Sequence, residues 1–359
     1  MSAVPVTYHI VGGGIAGLSC AWFLKQKNKN IRTIIYEAAP KLGGRAYSYH
    51  DASLDARMDN AVHAIAGANK FLARFIQKHE WNDKINFVSP DTSILDTSLY
   101  QNRGHLFKSF CNTRDSDIDK AVKKRILKML FPFTKSKRRV WFSKQNLSQR
   151  IINVLAGYAD EIHLNSKLNK ISGQFGLAAQ LKFDKKTVDI GAHDKVIIAL
   201  DNTSCSKVLN VPVLEHNQIV NIIYRVSQTI FLPKGSSFIG IKDGIGDWVF
   251  SNGNLLSVVI SDYQSGKESL QDLAIKAWTE LDKIRGVNSA FMPPHKIFCC
   301  KNATIRQNAE NNIRRPDTAK TEYPNVFIAG DWTMKDYPCC METAVQSALR
   351  AVKTALKSV

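Results

Sequence analysis

The chain has 359 residues, 44% of them hydrophobic and 22% charged, which excludes a mainly disordered or collagen-like polypeptide and favours two interleaved domains with sizeable cores. Its 49 Lys and Arg against 31 Asp and Glu give a net charge of +18, and eleven basic residues with no acid fall between Lys120 and Arg150. Such a block suits an anionic partner, acidic lipid or nucleic acid, or is a solvated Lys-rich insertion. The seven cysteines, Cys20, Cys111, Cys205, Cys299, Cys300, Cys339 and Cys340, show no C-x-x-C spacing, which argues against a zinc site or a disulfide framework and fits a reducing cytosol. The first residues lack the pattern of a secretory signal, and no apolar run approaches the ~20 residues of a spanning helix. The expected location is the cytoplasm, either free or peripheral on the inner face of the cytoplasmic membrane.

In chain order, Val6 to Val11 reads as a buried strand, Ile15 to Lys27 as a helix and Thr33 to Glu37 as a second, β-branched strand. Strand, Gly-rich turn, helix and strand in that order imply a parallel, doubly wound sheet. Residues 51 to 150 hold helical patches such as Ala68 to His79 and read as an insertion. Glu161 to Leu164, Ala178 to Phe183 and Thr187 to Ile190 read as short antiparallel strands, and Lys195 to Leu200 as a strand returning to the first sheet. Ile219 to Val226, Phe238 to Ile241, Asp247 to Phe250 and Leu255 to Ser261 form a second group of strands, punctuated by hairpin signals at Asp243-Gly244 and Asn252-Gly253. Glu268 to Ile284 reads as a helix with Leu270, Leu273, Ala277 and Leu281 on one face. Val326 to Ala329 is a last buried strand, followed by a helix from Met341 to Leu356.

Two stretches carry cofactor chemistry. Gly12-Gly13-Gly14-Ile15-Ala16-Gly17 fits G-x-G-x-x-G: Gly12 makes the tight turn, Gly14 lets a pyrophosphate approach the backbone, and Gly17 lets helix meet strand. Glu37, twenty residues after Gly17, supplies a carboxylate for ribose hydroxyls and disfavours a 2′-phosphate. Lys41-Leu42-Gly43-Gly44-Arg45 then offers a guanidinium fork to phosphate. A Gly-Gly-Arg after the acidic residue resembles FAD-dependent amine oxidases and carotenoid desaturases rather than NAD dehydrogenases.

The C-terminal stretch Ala329-Gly330-Asp331-Trp332-Thr333, with Met341-Glu342 beyond it, resembles the second flavin-binding motif of that superfamily. The resemblance implies that Gly330 and Asp331 meet the pyrophosphate and ribitol, and that Met341 and Glu342 open a helix whose N-terminus faces the flavin. Within the superfamily the chain resembles the squalene-associated flavoenzymes, the hydroxysqualene dehydroxylases. Four stretches carry the likeness: Met58-Asp59-Asn60-Ala61-Val62-His63, Ile219-Val220-Asn221, Trp248 to Phe250 with Leu255 to Ser261, and Ala329 to Thr333 through Pro338 and Met341-Glu342.

This resemblance implies an α/β fold: a Rossmann-type FAD-binding domain with a mixed-sheet substrate domain, as in glutathione-reductase-like and amine-oxidase-like flavoproteins. The expected division is an FAD-binding domain from residues 1–66, 151–205 and 306–359, a shortened, basic cap insertion at 67–150, and a substrate-domain sheet at 206–305. FAD is the implied cofactor, with Asn60 beside it, and a lipid-soluble isoprenoid is the implied substrate, its allylic hydroxyl replaced by hydride. The electron donor is not named by any motif, and no nucleic-acid motif accompanies the charge. His63 is the first candidate for proton donor or orienting group, with Asp59 second; both also suit a core hydrogen bond and a capped turn. Ala61 and Val62 stand where the family has Gly and Gln, and the cap is short, so a carotenoid-type desaturase and an inactive FAD-binding remnant stay open beside the dehydroxylase. Cys339 and Cys340 read as buried thiols, with a flavin thioether or redox pair as the alternative. Ile118, Val122, Ile126, Met129 and Leu130 share one helical face beside Lys120, Lys123, Lys124 and Lys128. With the aromatics up to Phe142, residues 118–142 read either as an interfacial helix on anionic membrane or as an amphipathic helix on the protein core.

Overall fold

Tyr8 to Val11 is a run of buried side chains in the strand Thr7–Val11, the centre of a five-stranded parallel sheet. The helix Ile15–Lys27 follows, and the strand Arg32–Tyr36 returns alongside in the register Ile10 to Ile35. On the other side of Thr7–Val11 lies Lys195–Ile198, and outside that Val326–Ile328, so strands from both ends of the chain share one sheet. These observations come from a computed structural model, which describes residues 6–79, 87–88, 103–131, 140–143, 147–228, 232, 238–241, 244–266, 268–289 and 291–358.

The chain divides into two units, each threaded by several segments. The first comprises Met1–Tyr47, Ser148–Leu214 and Glu310–Val359; the second comprises Ser48–Leu147 and Glu215–Ala309. The sequence reading carried its first segment to residue 66; in this division the hairpin of strands Ser48–Asp51 and Ala56–Asp59 belongs to the second unit.

In the first unit the parallel sheet is completed by Glu161–His163, which pairs parallel with Arg32–Tyr36. This corrects the expectation of an antiparallel strand there. The antiparallel pairing nearby belongs instead to Leu168–Gln174, Leu177–Phe183 and Thr187–Asp189, which form a separate three-stranded sheet. The helices Ile15–Lys27 and Met341–Ala355 pack against each other. Small buried residues on the last helix, Ala344, Ser347, Ala348 and Ala351, suit such close packing.

The second unit is built on a five-stranded sheet in the order Phe238–Gly240, Trp248–Asn252, Leu255–Tyr263, His216–Arg225, His295–Ile305, antiparallel throughout. The mixture of pairing expected from the sequence is thus divided: the five-stranded sheet of the first unit is parallel and this one is antiparallel. The hairpin signal at Asn252-Gly253 is a two-residue turn in which Asn252 still pairs with Leu255 and Gly253 adopts φ +63°. Asp243 of the other signal lies outside the described residues.

Strand periodicity gives this sheet two different faces. Val220, Ile222, Tyr224, Val249, Leu256, Val258 and Ile260 face the helix Leu270–Arg285, packing on Leu273, Ala274, Ala277, Trp278 and Leu281. Tyr224 donates its hydroxyl to Ala274 O at 2.6 Å, so the buried phenol is paired. In the next register Ile223 and Leu255 pack on Leu54 and Met58 of the Ser48–Asp59 hairpin. Phe238 and Phe250 pack on Phe107, Cys111, Ile118, Val122, Ile126 and Leu130.

The last group bears on the reading of the helix after Ile118. It runs Lys120–Leu130, capped by Asp119, whose carboxylate accepts from Ala121 N at 2.8 Å. Val122, Ile126 and Leu130 are buried in the protein, so that stripe is core, while Leu127 and Phe131 remain exposed. Each such side chain is held by about 2 kcal/mol of burial, against about 1 kcal/mol per lysine from an anionic surface, so the helix stays docked. Residues 132–139 of the expected membrane segment lie outside the described residues.

Candidate active site

Gly12 turns the chain at φ +110° after the first strand, and Gly14 caps the helix Ile15–Lys27. That helix has no side-chain cap and no acid in its first turn, leaving its positive end available to an anion. Two glycines differ in a way that tests the fit to a dinucleotide. A methyl on Gly17 would lie 1.9 Å from Gly12 O, so helix-to-strand packing alone demands glycine there. On Gly14 it would meet nothing nearer than 3.9 Å, so protein packing does not demand glycine there and the space beside it fits an approaching phosphate.

Gly43 N donates to Gly13 O at 2.9 Å, which lays the Lys41 to Arg45 stretch beside the Gly-rich turn. Glu37 follows its strand and does not end it: Oε2 accepts from Gly13 N at 2.7 Å and Oε1 from Ala39 N at 2.8 Å. Each carboxylate oxygen has two lone pairs, so acceptor capacity remains for ribose hydroxyls.

From the other end of the chain, Gly330 N donates to Ser347 Oγ at 2.8 Å, and Arg45 pairs with the buried Asp331 at 2.6 Å. The guanidinium expected to reach phosphate therefore bridges the two cofactor motifs. Arg315, which sequence reasoning missed, is 2% exposed and fastens the loop after Gly330. It donates to Asp331 O at 2.8 Å, Trp332 O at 3.0 Å and Tyr337 O at 2.8 Å. Trp332 Nε1 donates to Leu200 O at 2.9 Å. Met341 begins the last helix, and the buried Glu342 accepts from Gln346 Nε2 at 3.0 Å. Cys339 and Cys340 are free thiols; Cys339 is buried and burial pushes it up to about 12, while Cys340 is only half-buried and is also raised.

Asp59, Asn60 and His63 belong to the second unit; every other candidate belongs to the first. His63 Nδ1 lies 3.6 Å from Asp59 Oδ2, and Ser48 donates to the other carboxylate oxygen of Asp59. This pair lines a cavity of about 50 Å³ together with Met58, Val62, Ile223, Phe250, Leu255, Ser257 and Asn221. Three of the four stretches singled out in the sequence thus meet at one cavity within the second unit. Ala61, Arg57 and Asn252 complete its lining, so apolar side chains and convergent polar groups share its walls, the pattern of a ligand site. Asn221 was not expected in the site; its signal was a polar residue inside the strand run Ile219 to Val226.

Comparison with known proteins gives concordant results. The sequence model of the family described as flavin containing amine oxidoreductase matches residues 106–356, and that of the NAD(P)-binding Rossmann-like domain matches 10–78. A hydroxysqualene dehydroxylase of Zymomonas mobilis is 24% identical over 420 residues, covering 97% of this chain and 98% of the relative. One of Sinorhizobium fredii is 23% identical over 421 residues, covering 98% and 99%. Alignments of that length against a chain of 359 residues mean that the relatives carry stretches missing here. A solved oxidoreductase from Methanosarcina mazei superposes with a TM-score of 0.72 at 12% identity, covering 97% of this chain and 100% of its own.

Proposed function

Since the chain belongs to the flavin containing amine oxidoreductase family and its cofactor is FAD, we propose that it is a lipid-alcohol reductase of the hydroxysqualene dehydroxylase type. The single observation that carries this reading is the meeting of the Met58 to His63, Ile219 to Asn221 and Trp248 to Ser261 stretches around one mainly apolar cavity. In the first unit, Gly14 and the N-terminus of its helix hold the pyrophosphate and Glu37 the ribose. The loop of Gly330 and Asp331, fastened by Arg315 and Arg45, would hold the middle of the cofactor, and the helix opened by Met341 and Glu342 would offer its N-terminus to the flavin. Reduced flavin, when bound, would supply hydride for a new allylic C–H bond, in exchange for the C–O bond lost when the protonated hydroxyl leaves as water.

His63 holds the proton for the departing oxygen, and Asp59, fixed by Ser48, orients the imidazole. Met58, Val62, Ile223, Phe250 and Leu255 keep water from the allylic carbon while positive charge develops there. Lys120, Lys124 and Lys128, exposed on the outer side of their helix, supply an electrostatic contact to anionic lipid, where the substrate is dissolved. Among the described residues no helix is long and apolar enough to cross a membrane.

The deciding experiment is an anaerobic single turnover of the reduced protein with hydroxysqualene, following squalene and flavin oxidation together. One squalene formed per flavin oxidised is the expected result. A yellow protein whose reduced flavin is left untouched by the lipid alcohol would instead favour the competing reading of an FAD-binding remnant, which the missing stretches and the small cavity support.

A further inference from the structure

The strand His216–Arg225 sends Val220, Ile222 and Tyr224 into the packed core beneath the helix Leu270–Arg285. Asn221 and Ile223 line the cavity on the other face. Asn221 is 1% exposed, and among the described residues neither its Oδ1 nor its Nδ2 has a hydrogen-bonding partner. An amide in that state is unfavourable twice over, because a donor and an acceptor both lose water and gain nothing. Nearly all buried polar groups in folded proteins are paired, and the exceptions point to a partner that arrives from outside. Its neighbours across the sheet, Val259 and Phe298 in register, have no side-chain polar atoms to offer.

We propose that the Asn221 carboxamide is the grip for the hydroxyl of the lipid alcohol. This rests on the dehydroxylase reading and identifies the residue by which that site recognises its substrate. A hydroxyl is the group that satisfies both orphaned atoms: Nδ2 donates to its oxygen while its proton goes to Oδ1. The cavity of about 50 Å³ has room for a hydroxyl and the carbons beside it, while His63 and Asp59 stand on the same wall to deliver the proton. A site built in this way favours alcohol over hydrocarbon, because a ligand with no oxygen leaves the amide unpaired again. Loss of the hydroxyl during the reaction therefore releases the grip, and the product is bound more weakly than the substrate.

The test compares wild type with Asn221→Leu, of similar volume, as full-length flavoproteins. FAD content, melting temperature, the thermal shift produced by micellar hydroxysqualene or squalene, and single-turnover kinetics are measured. Asn221→Leu is expected to keep its FAD and to melt about 2–4 °C higher, since it removes an unpaired amide. It loses the difference between the two lipids and drops about 100-fold in the second-order rate for hydroxysqualene, mostly through weaker binding. A lower melting temperature with an unchanged lipid preference would overturn the proposal, because the amide would then be satisfied inside the protein. If Asn221→Leu does not accumulate, Asn221→Ala, which removes both the donor and the acceptor, must lose the same preference, and retaining it overturns the proposal. A wild type that prefers the alcohol without reducing it would sink the dehydroxylase reading and leave the grip standing. A wild type with no preference would sink the grip alone if it still made squalene.

Discussion

The two units spend polar groups in opposite ways. Around the Gly-rich turn and the Gly330 loop, the polar groups that shape the cradle are matched: Glu37 by two backbone N–H groups, Asp331 by Arg45, and Arg315 by three carbonyls. In the cavity of the second unit, Asn221 is buried with no bonding partner among the described residues. A cradle that is complete before its ligand arrives gives affinity through preorganisation, whereas an unsatisfied group gives discrimination at the expense of stability.

Pairs of variants can break or sharpen this contrast. The largest effect is expected at Gly17. Alanine there places a methyl 1.9 Å from Gly12 O, so Gly17→Ala is expected to lose more than about 4 kcal/mol and to yield insoluble protein in a solubility and melting assay. Gly14→Ala is its counterpart, with no contact nearer than 3.9 Å; it is expected to fold as wild type while binding FAD about 100-fold more weakly by fluorescence titration. Equal losses of fold in both would mean that the turn serves packing alone.

Arg315→Met strips a buried cation from three carbonyls and should cost about 3 kcal/mol, read as a lower melting temperature in apoprotein and holoprotein alike. A drop confined to the holoprotein would assign Arg315 to the cofactor rather than to the loop. His63→Gln is expected to slow the single turnover by about 100-fold with FAD content unchanged, the ordinary range for a lost general acid. An undiminished rate would move the proton donor elsewhere. Smallest is Lys124→Gln, expected to lower binding to phosphatidylglycerol vesicles at low salt by about fivefold and to leave the melting temperature alone; no change there would remove the electrostatic contact from the picture.

The same contrast separates what the sequence discloses from what it does not. The strand Thr7–Val11, the helix Ile15–Lys27 and the strand Arg32–Tyr36 lie within a residue of their expected ends, because local spacing dictates a strand, a Gly-rich turn and a helix in succession. Glu161–His163 was placed in the wrong kind of pairing, since three residues carry a strand signal and no mark of direction. His295–Ile305, the longest strand of its sheet, went unread: it is an edge strand whose middle, Cys300 to Asn302, is exposed, so it lacks the buried run that announces a strand. The helix after Ile118 showed its apolar stripe plainly, but a stripe does not name what covers it, and here the cover is Phe107, Phe238 and Phe250. Asn221 was visible as a polar letter within an apolar strand and as part of a stretch that resembles the family, but its place in a cavity depends on residues of the Ser48–Asp59 hairpin that no local pattern brings together.

The order of strands in the first unit also governs when the protein can acquire its cofactor. Thr7–Val11 is made first, yet the strand Val326–Ile328 and the Gly330-Asp331 loop belong to the final fifty residues, Glu310–Val359. Every residue from Thr7 to Ile328 must therefore be made before this parallel sheet can be completed. A chain ended before Val326 lacks the outer strand of this sheet and is expected to be purified colourless.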